Sequence, residues 1–123
     1  MKPLALLFAV LLIAGCGSRP DPAPKADVSF AKDIQPIFTQ SCMPCHAGGT
    51  TAKGNYDLTG YAGAMSNGED AVPNVLPGNA DSSSLYLRVN GAIKPQMPKE
   101  RPPLSAAQLA TIKKWIDQGA KNN

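Results

Sequence analysis

The sequence predicts an all-α domain with long loops, and three observations carry that reading. Apolar residues recur at offsets of three and four near both ends of the region 28–123, and no stretch alternates apolar and polar residues as a half-buried strand does. Between those ends, many of the 12 prolines and 11 glycines of the 123-residue chain fall at intervals too short for long elements. Length allows one domain at most. Composition excludes collagen-like repeats, and three cysteines are too few for a disulfide framework. A formal charge of +3 argues against a nucleic-acid binder.

The first segment is an export signal. Met1-Lys2 gives a positive end, Leu4 to Ala14 are eleven uninterrupted apolar residues, and Ile13-Ala14-Gly15-Cys16 is a small-residue cleavage site. At ~1.5 Å rise per residue the apolar run is too short to cross a hydrocarbon core of ~30 Å. A cysteine directly after Ala-Gly resembles the lipobox of bacterial lipoproteins. That resemblance implies acylation of Cys16 and cleavage before it; a plain secreted protein with a spare thiol, or an uncleaved anchor, is the alternative. Residues 1–15 are then the signal peptide. Two or more acyl chains would make membrane attachment stable, and Gly17 in place of aspartate implies the outer membrane on the sorting rule of enteric bacteria. Residues 16–27 hold three prolines and no large apolar side chain, so they read as a solvated spacer between lipid and a domain spanning 28–123.

Within the domain, Phe30, Ile34, Ile37 and Phe38 lie on one helical face, with Asp33 as N-cap and Pro36 in the first turn, where its missing amide costs little. A short helix around Tyr61 to Met65 follows. Asp81-Ser82-Ser83-Ser84 offers caps for a helix bearing Leu85, Tyr86 and Val89 that ends by Asn90-Gly91. Pro95, Pro98, Pro102 and Pro103 forbid helix and sheet through that stretch. The last helix is the clearest: Ser105 and Gln108 form a capping box, Leu109, Ile112, Trp115 and Ile116 make one apolar stripe, and Gly119 ends it.

Chemistry concentrates in Cys42-Met43-Pro44-Cys45-His46. Two thiols three positions apart, followed at once by histidine, are the spacing that attaches a c-type haem covalently. The thiols add to the two vinyl groups on one porphyrin edge, and the next residue is held beneath the iron as axial ligand. A thioredoxin-like dithiol would need a preceding strand, and none is evident. A zinc site needs four ligands, whereas beyond Cys42, Cys45 and His46 the mature chain has no further histidine and only the tethering cysteine. The sixth iron ligand must come from elsewhere. Met43 is tied to the side of the ring that His46 occupies, which leaves Met65 and Met97. Met97 is favoured, because the prolines of Lys94-Pro95-Gln96-Met97-Pro98 restrict the backbone and can hold a thioether in an irregular loop; Met65 suits gap-filling better. Lys94 or Lys99 is a remote third possibility.

Phe30 to Phe38 leading into Cys42 to His46, then Tyr56-Asp57-Leu58, Ser84 to Val89, Met97-Pro98 and Leu104 to Ala120 resemble a small bacterial single-haem cytochrome c domain over about 28–120. The resemblance implies a class I cytochrome c-like fold of about three to five helices with long loops around one covalent haem c. In that fold the N- and C-terminal helices cross beside the haem and the Met-Pro loop closes its distal face. Phe38 and Trp115 should then pack near one another or against the porphyrin. One departure is visible: the family often continues Met-Pro-Pro, whereas Lys99-Glu100-Arg101 separates Pro98 from Pro102-Pro103 here.

The expected function is one-electron transfer by a carrier rather than an enzyme, in which His46 and Met97 leave the iron no open site. Donor and acceptor would be redox proteins docking transiently over a small surface. Residues 16–87 carry four basic and seven acidic groups, and 88–123 carry seven basic and two acidic. That polarity could steer an acidic partner toward Arg88, Lys94, Lys99 and Arg101, unless these are ordinary solvated charges. Should no methionine bind iron, an open distal site would suit a gas sensor or small peroxidase; should no haem attach, Cys42 and Cys45 would make a periplasmic thiol-disulfide protein. The domain holds only 24 large apolar side chains in residues 28–123, a thin core unless a haem fills its centre.

Overall fold

A computed structural model describes residues 26–123. The expected signal peptide 1–15, the expected lipidation site Cys16 and the expected spacer as far as residue 25 lie outside the described residues. Four α-helices are present among those described, α1 (Gln35–Ser41), α2 (Tyr61–Ala64), α3 (Ser84–Val89) and α4 (Ala106–Asp117), with no strand. The all-α expectation is borne out. Among the described residues, no helix is long and apolar enough to cross a membrane.

The first helical segment starts earlier than its sequence suggests. A π-turn, Phe30–Ile34, precedes α1, and its N-cap is Ser29, whose hydroxyl accepts from the Lys32 amide. Asp33 is therefore not the cap. It sits inside the turn and its carboxylate accepts from the Ser29 amide at 2.8 Å, the reciprocal half of the same box. Pro36 falls in the first turn of α1, as expected.

A clasp of terminal segments closes the fold. Val28 donates to the Gln118 side chain, Phe30 to the Asn123 side chain at 3.0 Å, and Ala31 to the Asn123 carbonyl at 3.0 Å. Inside it Phe30 meets three rings: Tyr61 edge-on at 5.2 Å, Trp115 at 5.5 Å and Phe38 at 6.3 Å. Such aromatic pairs each add about 0.5–1.5 kcal/mol beyond area burial. Trp115 satisfies its indole N–H on the Lys121 carbonyl, and the Tyr61 hydroxyl donates to Ala120. Phe38 and Trp115 thus share one cluster through Phe30, and the Phe30–Ile34 turn, more than α1, is what packs on α4.

The capping box of Ser105 and Gln108 is present on both sides, and Ile112, Trp115 and Ile116 are buried, with Leu109 half-buried. Gly119 ends the element at φ +102°, a left-handed conformation that favours glycine. The Tyr61 helix and the α3 helix also form where expected. Ahead of α3 a 3₁₀ turn, Ala80–Ser82, is capped by Asn79, while Ser83 is fully buried and bonds back to Leu76 and Asn79. Asn74 pins the entry to α3: its carbonyl accepts from Leu85, and its amide donates to the Ser66 and Asn67 carbonyls.

Candidate haem-binding cavity

The attachment motif begins at the C-terminal end of α1. Cys42 caps that helix with its N–H on Phe38, and His46 folds back to the Cys42 carbonyl at 3.1 Å, so the five residues form one compact turn. Two further backbone bonds lock the turn to the segment after it: Lys53 donates to Cys45 at 2.9 Å and Leu58 to His46 at 2.8 Å. Asp57 secures the intervening loop by accepting from the Gly49 amide and from both the amide and hydroxyl of Thr59. These bonds, with Thr59 the strongest influence, hold its carboxyl below the ordinary value of 3.8.

Cys42, Cys45, His46 and Met97 line one cavity of about 430 Å³. Its walls include Leu58, Leu85 and Val89 of α3, and Leu104, which come from three separate segments, and its rim carries Lys53, Glu69, Asp70, Arg88, Lys99, Glu100 and Arg101. Both thiols are free, with Cys42 half-buried and Cys45 exposed. Burial pushes the Cys42 thiol up to about 11, against the opposing pull of the Arg101 charge. Burial thus works against a reactive Cys42 thiolate, which a redox-active dithiol would favour. No three His, Cys, Asp or Glu side chains gather as a metal cluster among the described residues.

His46 is oriented by a backbone group. Its Nδ1 lies 3.1 Å from the Tyr56 carbonyl, an acceptor only, so Nδ1 carries the proton and Nε2 keeps its lone pair. Tyr56 is itself buried, lines the cavity and donates its hydroxyl to the Ala64 carbonyl at 2.7 Å, and burial raises its phenol well above the ordinary range. The donor set of two free thiols, one imidazole with Nε2 available and one thioether, around an apolar-walled space within the ordinary range for cofactor pockets (~300–1,000 Å³), fits a haem. Of the other methionines, Met65 packs against the core without lining the cavity, and Met43 lines it from within the motif. The Lys99-Glu100-Arg101 insertion also lines the cavity; Glu100 has φ +56°, and Arg101 donates to the Gln40 carbonyl at 3.3 Å.

Residues 42–101 match the family model of planctomycete cytochrome C. That match supports a small c-type cytochrome domain over those residues. The match begins at the first thiol of the motif and ends at Arg101, so it covers the whole cavity wall except Ser41 and Leu104. No curated protein and no solved structure matches the chain. The thiols, the histidine and the methionine of the cavity are legible in the sequence and Arg88 is legible there only as a surface charge, while the Tyr56 carbonyl is not legible at all. A backbone acceptor leaves no mark on residue choice, and an arginine in a helix is unremarkable until its partners are placed.

Proposed function

We propose that this cytochrome domain is a one-electron carrier with one haem c bound through Cys42 and Cys45, axial ligands His46 and Met97, and no catalytic turnover of its own. Bound haem would supply an iron that changes charge by one electron; the chain's residues fix its environment. The thiols hold one edge, the Tyr56 carbonyl keeps the His46 imidazole in the tautomer that leaves Nε2 free, and the apolar wall excludes water. A filled distal position favours transfer over ligand chemistry, because the iron then has no open site in either oxidation state.

The observation that carries this reading is the presence of His46 and Met97 in the wall of the same cavity as both thiols, with Met65 outside it. Export through the signal 1–15 and a lipid tether at Cys16 would put the carrier on the periplasmic face of a membrane, with the outer membrane favoured by Gly17. Donor and acceptor would be redox proteins in transient contact with the cavity rim.

The oxidised holoprotein should show the weak long-wavelength charge-transfer band of an iron–thioether bond. Met97→Ala should abolish it while leaving the c-type α-band, and Met65→Ala should leave both. Survival of the band in Met97→Ala, with loss in Met65→Ala, would move the ligand.

A further inference from the structure

The loop that carries Met97 has little means of holding itself. Pro95 and Pro98 have no amide hydrogen, so in the four residues 95–98 only Gln96 and Met97 can donate from the backbone. What fixes the loop comes from α3, and most of it from one residue. The Arg88 carbonyl accepts from the Met97 amide at 3.0 Å, and the Arg88 guanidinium donates to the Lys94 carbonyl at 3.1 Å. One residue therefore grips the loop on both sides of Pro95-Gln96. The other terminal nitrogen of the guanidinium faces Asp70, 4.0 Å away, with the two side chains 27% and 42% exposed. Ile93 adds a bond to Leu87 at 3.1 Å at the start of the loop.

We propose that Arg88 is a positioning residue for the distal ligand: its guanidinium clamps Lys94 to α3 and so limits how far Met97 can leave the cavity, while Asp70 keeps that guanidinium turned to the loop. The inference rests on the reading of Met97 as iron ligand. The exposed Arg88–Asp70 pair contributes little by itself. The charge-assisted bond to a carbonyl is the stronger part, since a charged donor bonds more strongly than a neutral one. Loosening the clamp costs nothing in attachment, because the thioether bonds and His46 lie on other segments. It costs the occupancy of the distal position.

The test compares wild type, Arg88→Gln and Arg88→Lys as oxidised holoproteins, each titrated with imidazole as a competitor for the distal position. Wild type should show the iron–thioether band. Arg88→Gln should keep the c-type α-band, weaken the iron–thioether band and bind imidazole about tenfold more tightly, the loss expected for one charge-assisted bond. Arg88→Lys keeps a cationic donor and should restore most of both properties, which a loss of helix stability alone would not do. Equal imidazole affinity and an unchanged band in Arg88→Gln would overturn the positioning role while leaving Met97 as ligand. A wild-type protein with no iron–thioether band, or with the band lost only in Met65→Ala, would overturn the ligand assignment and this role with it.

Discussion

A single backbone carbonyl decides how the only histidine of the chain can act. With Nδ1 donating to Tyr56, the imidazole presents Nε2, the nitrogen an axial ligand uses, without any carboxylate to enforce it. The Tyr56 side chain supports that carbonyl through its bond to Ala64. Tyr56→Phe should therefore lose about 1 kcal/mol in denaturant unfolding and retain its haem, because the carbonyl itself stays in place. Asp57 gives a pH-dependent signature. Its folded pKa lies below the ordinary 3.8, so its contribution is full above that value and is lost as pH falls through the folded pKa. Asp57→Asn should be less stable than wild type at neutral pH, and the gap should close in acid; a gap that is constant with pH would mean the carboxylate charge plays no part. These roles were illegible in the sequence. Cys42, Cys45, His46 and Met97 stand out in the sequence through spacing and flanking prolines, whereas Arg88 acts through Asp70, Lys94 and Met97, and Asp57 through Gly49 as well as the neighbouring Thr59.

At the scale of elements, local chemistry was readable where both halves of a motif lie within four residues. The Ser105–Gln108 box is such a case, and Ser105→Ala should cost about 1 kcal/mol. The start of the first helical segment misleads because Ser29 and Asp33 both suit a cap; in the fold Ser29 accepts at the helix start and Asp33 bonds back to the Ser29 amide. The short 3₁₀ turns at Gly49–Thr51 and Lys53–Asn55 follow from docking against the motif and have no periodic signal. Gly63 in α2 shows how tightly that region is built: a Cβ there would overlap the Asp57 carbonyl oxygen. Gly63→Ala should push the 56–58 segment away from α2 at a cost of about 2 kcal/mol, and the His46 to Tyr56 bond should weaken with it. Undiminished stability and haem content in that variant would show that the segment can shift freely.

For the whole molecule, the division of charge along the chain is only partly a division in space. Three of the seven basic groups after residue 87 face carboxylates: Arg88 faces Asp70, Lys113 bridges Asp81 and Asp117, and Lys121 meets Asp27. At the cavity rim Lys53, Lys99 and Arg101 alternate with Glu69 and Glu100. The rim is mixed in sign, so electron exchange with an anionic reagent such as ferricyanide should depend only weakly on ionic strength, and a steep fall with added salt would point to a focused basic patch. The thin core foreseen from composition resolves into an aromatic cluster around Phe30 on one side and a wide cavity on the other. Haem attachment would join those halves. Intact mass and the α-band of the purified chain after denaturation should show one haem added covalently, with neither Cys42 nor Cys45 open to thiol reagents; an unmodified mass with both thiols reactive would mean that no haem is attached.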